Sequence, residues 1–206
     1  MTSVTSQIHD GVAVITVEHP PVNALSAGVK TGLDDLLERA LGDTAVRAVV
    51  IIGAGGTFIS GVDIKELQDK AFEGIVCSTL PDTLMKIEDS PKCVIAALDG
   101  STLGAGLEIA MAAHYRVAKP ATKLGQPEVN LGLIPAAGGT QRLTKLVGPQ
   151  KAIEMCAFGE LIGAEEGHRL GLVDVLVAGS LREDAIAFAR EITERGKPLP
   201  RARDRA

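Results

Sequence analysis

Ala97-Leu98-Asp99-Gly100-Ser101-Thr102-Leu103-Gly104-Ala105-Gly106-Leu107-Glu108-Ile109-Ala110 is the stretch on which the fold class turns. The apolar run Cys93-Val94-Ile95-Ala96-Ala97-Leu98 that leads into it reads as a strand buried on both faces. Asp99-Gly100 ends that strand, and a helix of small residues is expected over about 104–113. Strand, glycine-rich turn and helix together make one unit of an α/β protein. Gly104 and Gly106 leave the backbone N–H groups near Ala105 accessible, at the positive end of that helix. Glu108 falls in or near the first turn, where an acid is ordinarily a partner for the helix dipole. Its neighbours, however, are small and apolar. Partial desolvation there raises a carboxyl pKa toward general acid–base use.

The same grammar repeats on either side. Upstream, Ala48-Val49-Val50-Ile51-Ile52 reads as another strand buried on both faces. It runs into Gly56-Thr57-Phe58-Ile59-Ser60-Gly61-Val62-Asp63-Ile64-Lys65-Glu66-Leu67, a turn expected to open a helix. Backbone N–H groups at such an opening can face a carbonyl oxygen that gains negative charge, although an ordinary strand-to-helix turn explains the residues equally well. Further upstream, Ile8 to Val17 reads as a hairpin about Asp10-Gly11, ended by His19-Pro20-Pro21. Asn23-Ala24-Leu25-Ser26 leads into a helix with Ser26 as N-cap and Leu33, Leu36, Leu37 and Leu41 as its apolar stripe.

Downstream, a helix is expected over 78–89 and a short strand over Tyr115-Arg116-Val117-Ala118. Lys123-Leu124-Gly125-Gln126-Pro127-Glu128-Val129-Asn130-Leu131-Gly132-Leu133-Ile134-Pro135 follows, with Glu128 just after a proline. A lone glutamate in a loop is ordinarily a solvated surface residue. Gly138-Gly139-Thr140-Gln141-Arg142-Leu143 reads as a helix start. Helices are expected near 139–147, 149–158, 164–170 and 180–195, with a late strand over 173–177. Strands alternating with helices give an α/β protein around a buried sheet. The proline-containing basic end predicts one domain over 1–196 and a linker or frayed tail over 197–206.

Bulk properties narrow the function. With 206 residues, 46% of them hydrophobic, the chain can bury one sizeable core. No Trp, one Tyr and four Phe make that core aliphatic. A formal charge of −5 argues against a broad nucleic-acid surface. Cys77, Cys93 and Cys156 are widely spaced and read as buried, inert thiols in a reducing compartment. With no apolar signal core in MTSVTSQIHD and no long apolar run, the cytoplasm is the expectation. His9, His19, His114 and His168 show no metal-ligand spacing, and there is no G-x-S-x-G elbow and no Walker A loop. Val49 to Gly56 invites a dinucleotide reading, but Phe58 stands where the third glycine belongs.

Three stretches in one order resemble the enoyl-CoA hydratase/isomerase (crotonase) superfamily. They are the G-x-x-F-x-x-G-x-D-I pattern ending at Asp63-Ile64, the glycine-rich turn ending in Glu108, and the G-x-P-E pattern ending in Glu128. The resemblance runs from the hairpin to about Val177. The wording from Gly106 to Arg116 looks closest to the hydratase part of bifunctional hydratase/3-hydroxyacyl-CoA dehydrogenase proteins. It implies a crotonase-like spiral of ββα units, helices around a buried sheet, without the usual C-terminal helices. It further implies hydration of trans-2-enoyl-CoA, of the fatty acid β-oxidation type. Glu108 would activate a water for attack at C3, and Glu128 would deliver a proton to C2. The N–H groups of Val62 and Ala105 would form an oxyanion hole, with Gly104 opening the helix behind it. Asn23, Ala24, Leu25, Ser60, Gly61, Asp63, Ile64 and Lys65 would lie along the coenzyme A and pantetheine path, and Gly104 would also belong to the substrate-binding set. No cofactor, metal, nucleic acid or membrane partner is implied beyond the coenzyme A thioester substrate. Relatives keeping just the Glu128 equivalent are often Δ3,Δ2-isomerases, which makes isomerisation one alternative; a truncated acyl-CoA-binding module without turnover is the other. The implied partners are further copies in a trimer-type homo-oligomer, or a covalent dehydrogenase domain in a longer chain.

Overall fold

The sheet begins at the hairpin. The computed structural model describes residues 2–66 and 78–205. Strands β1 (Ser3–His9) and β2 (Val12–Glu18) pair antiparallel through a two-residue turn. Asp10 and Gly11 both have positive φ, 50° and 83°, the turn geometry whose twist matches that of the strands. Helix α1 (Ala27–Gly42) starts where the Ser26 hydroxyl accepts the Val29 N–H at 3.2 Å, as its N-cap position predicts. Leu33 and Leu37 are fully buried, and Leu36 and Leu41 pack at the edge of the same core.

Beyond α1 come β3 (Ala48–Gly53), α2 (Ser78–Glu88), β4 (Cys93–Leu98), β5 (Ser101–Leu103), α3 (Ala105–Ala112) and β6 (Tyr115–Ala118). They are followed by β7 (Lys123–Gly125), α4 (Gly139–Val147), α5 (Pro149–Ala157), β8 (Leu161–Gly163), α6 (Ala164–Leu170), β9 (Val175–Leu176) and α7 (Leu181–Glu194). The large sheet has the order β1-β2-β3-β4-β6-β9, parallel throughout except for the hairpin. A small sheet, β5-β7-β8, lies apart from it.

Strand β3 shows why its sequence is apolar without alternation. Val49 and Ile51 point into the core shared with α1, α2 and α3, while Ala48, Val50 and Ile52 point at α7. On that second face Ala185 and Ala189 bring α7 close to the sheet. Among the described residues no helix is long and apolar enough to cross a membrane.

Three expectations change. The strands β5, β7 and β8 have three residues each, too few to show a period, and exist through pairing. The late strand shrinks to Val175–Leu176, with Val173 buried before it. Residues 197–205, expected as a linker or frayed tail, lie packed on the body. Tyr115 donates to the Pro198 carbonyl at 2.7 Å, Ala202 is buried, and Arg203 and Arg205 pair with Asp89 and Asp174. Charge and proline content suggested solvation, whereas these charges have acidic partners far away in sequence. The helix expected to open after Ile64 falls largely on residues 67–77, which with Cys77 lie outside the described residues.

Candidate active site

Two backbone N–H groups set the site. Gly61 O accepts from Leu25 N at 2.8 Å, and Leu25 O accepts from Asp63 N at 3.1 Å. The C=O and N–H of a trans peptide point in opposite directions, so Val62 N–H is turned away from Leu25. Gly104 O accepts from Glu108 N at 2.9 Å and so points into α3, which turns Ala105 N–H out beyond the helix start. Neither N–H has a partner among the described residues. The parallel bridge between Ser60 and Leu103 places the two peptides side by side, two residues further along each strand. Glycine is required behind them at two points. Gly104 turns the chain at φ +52°, and a Cβ on Gly106 would sit inside the Ile59 carbonyl.

Glu108 lies one turn into α3 and is 3% exposed. Its Oε1 accepts two backbone N–H groups, from Ala137 and Gly139, each at 2.8 Å. Its Oε2 has no partner among the described residues. Burial pushes its pKa above the usual carboxylate range, opposed by the two N–H groups and by the Arg142 charge. Glu128 sits on a short 3-10 turn, Pro127–Leu131, where the sequence suggested a solvated loop; it is half-buried. Burial is the first cause that pushes its pKa up to about 7, and the Glu108 charge adds to it. Gln126 is fully buried, and its amide nitrogen, once turned toward Glu128, donates to both carboxylate oxygens at 2.9 and 3.1 Å.

These groups share one cavity of about 360 Å³. That volume falls in the range of small-molecule sites. Its wall contains Ser60, Gly61, Val62, Ile64, Gly104, Ala105, Glu108 and Glu128 from the sequence-based set. The rest of the wall is largely apolar, with Leu80, Leu131, Leu133 and Ile134 among its members. Asn23, Ala24, Leu25, Asp63 and Lys65 are not brought to the wall. Asn23 is instead a buried brace: its amide accepts from His19 N and donates to Ala54 O and Thr57 O. Leu25 is fully buried and acts through its backbone bridge to Val62. Sequence reasoning missed Gln126 and the two N–H donors to Glu108. Gln126 was visible as the variable position of G-x-P-E, but no local signal marks Ala137. Among the described residues no group of three or more His, Cys, Asp or Glu could hold a metal ion. Cys93 is buried with its thiol pushed up to about 12 by burial, whereas Cys156 is half-buried.

Known proteins share this arrangement of sequence. The enoyl-CoA hydratase/isomerase family pattern matches residues 7–202. The chain belongs to that family. It is 44% identical over 197 residues to the peroxisomal fatty acid beta-oxidation multifunctional protein AIM1 of Arabidopsis thaliana, covering 93% of this chain and 27% of that protein. It is 41% identical to a probable enoyl-CoA hydratase of Bacillus subtilis (strain 168), covering 85% of this chain and 69% of that one. Among solved structures, Pseudomonas aeruginosa DspI superposes with a TM-score of 0.87 at 34% identity, over 92% of this chain and 74% of that one. The enoyl-CoA hydratase of Bacillus anthracis gives 0.85 at 33%, over 93% and 76%. The crotonase fold expected from the three stretches is thereby confirmed, as is the likeness to one part of a multifunctional protein. The chain spans about a quarter of the multifunctional relatives it matches. Their names are peroxisomal and lend no support to the cytoplasmic expectation.

Proposed function

We propose that this chain hydrates trans-2-enoyl-CoA thioesters to 3-hydroxyacyl-CoA, as a β-oxidation-type hydratase. One observation carries the reading: two carboxylates with unequal surroundings share a cavity wall with two unpartnered N–H groups. The thioester oxygen would accept from Val62 and Ala105. As water adds at C3, the electron pair moves through C2 onto that oxygen, and the two donors oppose the developing charge. One such donor is worth about 3–4 kcal/mol of barrier.

Glu108, whose Oε1 is held by two N–H donors, has Oε2 free to take the proton of the attacking water. Glu128, with a pKa raised to about 7, would carry a proton near neutrality and give it to C2. One carboxylate alone could move a proton between carbons, as an isomerase does. Two flanking a cavity favour holding a water between them. The names of the hydratase and β-oxidation relatives agree with this substrate class.

The test is product analysis with crotonyl-CoA, followed by loss of the conjugated thioester absorbance. Formation of 3-hydroxybutanoyl-CoA supports hydration. A shifted double bond from a longer trans-3-enoyl-CoA, without hydration of either substrate, would replace the reading with an isomerase. Tight thioester binding without turnover would leave a binding module.

A further inference from the structure

Glu108 does not fix its own geometry. Both donors to its Oε1, Ala137 N and Gly139 N, come from the turn that leads into α4. The carbonyl of Ala137 accepts from Arg142 Nη1 at 3.0 Å. The same guanidinium forks onto Glu88 at the end of α2, with Nε at 3.2 Å and Nη2 at 2.8 Å from Oε2. Glu88 is 1% exposed, and its Oε1 accepts the backbone N–H of Arg203 at 3.2 Å. Arg203 in turn pairs with Asp89. A continuous run of contacts therefore joins the packed segment 201–205 to the carboxylate of Glu108.

We propose that Arg142, anchored on Glu88, is a positioning residue for Glu108: it pins the 137–139 turn so that both N–H groups stay on Oε1 and Oε2 stays turned to the reacting water. The inference rests on the hydratase reading for its rate consequence, though not for its structural one. Arg142 is suited to this because its planar fork holds the carbonyl and the carboxylate at once; a lysine ammonium is a point charge and cannot reproduce both contacts. Other charges nearby are accounted for. Glu108 is faced by Arg142 and Glu128, with the Cys156 thiol within their field. Glu88 is faced by Arg142, Arg203 and His114, and Arg201 and Arg116 lie near that histidine. Burial pushes His114 down to about 4, so it stays neutral across an assay near neutral pH.

The experiment compares the full chain with Arg142→Lys and Arg142→Gln, measuring kcat and KM for crotonyl-CoA against pH. The Glu108 carboxyl is titrated in parallel by carbon-13 NMR in the substrate-free protein. Positioning predicts that kcat falls about 10- to 100-fold in both variants while KM stays within about twofold. In Arg142→Gln the titration of Glu108 moves to higher pH because a cation is lost; in Arg142→Lys it moves less. Parent-like kcat in Arg142→Lys would overturn the proposal, since charge alone would then suffice. So would a loss of kcat that disappears once kcat is referred to the folded fraction of each variant. Should the parent fail to hydrate crotonyl-CoA, the functional reading fails by itself. The NMR titration then decides this proposal: a parent-like Glu108 titration in Arg142→Lys overturns it, since charge alone would then suffice, and an upward shift in Arg142→Lys as well as in Arg142→Gln sustains it, since the two N–H donors have then left Oε1.

Discussion

Glu108 and Glu128 are the same side chain set in two unlike walls of one cavity. Glu108 stands on a helix inside the core, with a strand behind it and two backbone donors on one oxygen. Glu128 stands on a 3-10 turn at the rim, among the exposed apolar side chains of Val129, Leu131, Leu133 and Ile134. The first is held by main chain, which cannot change rotamer. Among the described residues the second has no main-chain N–H of another segment on it, and it lies beside the Gln126 amide, which donates to it in only one of its two orientations. Burial raises both carboxyls, and on the proposed hydratase reading it is the difference in what holds them, not residue type, that would divide the roles of base and acid.

The contrast can be broken or sharpened by titration. The largest effect concerns the acid. On the proposed reading Glu128 must be protonated to act, and burial pushes its pKa up to about 7. The pH profile of kcat/KM should therefore fall above that value by about tenfold per unit. Because the two carboxyls interact, the apparent value belongs to the pair. A flat profile up to pH 9 or so would remove the asymmetry on which the account rests. A smaller effect appears in stability. The folded pKa of Glu128 is raised from 4.5 to about 7, so its contribution to folding is fully present below 4.5 and is lost as pH rises through about 7. Glu128→Gln should thus raise the thermal midpoint above pH 7 or so and leave it unchanged below 4.5, as calorimetry at two pH values would read. A gain of equal size at both pH values would mean that Glu128 is not desolvated in the fold.

Much of the fold was legible because its signals are local. Strands β3, β4 and β6, the Asp10-Gly11 turn and the Ser26 cap are each written in a few consecutive residues. Strands β5, β7 and β8 were not, since three residues carry no period and pairing partners lie elsewhere in the chain. The site divides the same way. The glycine-rich turns marked Glu108 and the N–H groups near Ala105 as candidates, whereas Val62 came from the resemblance of the three ordered stretches to a family. Glu128 alone looked solvated; its burial comes from the cavity wall that three-dimensional packing builds around it. The donors that hold Glu108 come from residues 29 and 31 positions away, and no spacing rule reaches that far. The tail was misread for a related reason, since Asp89 and Asp174 are more than 100 and about 30 residues from the arginines they hold. Asn23 was expected beside a ligand, yet a positive φ and three internal hydrogen bonds give it a structural task.

The central claim, that Glu108 and Glu128 work together on one water, is tested most directly by crotonyl-CoA hydration in the parent, Glu108→Gln and Glu128→Gln. The account predicts turnover in the parent and a loss of about 10²- to 10⁴-fold in each variant, with thioester binding retained. Parent-like turnover in either variant would contradict it.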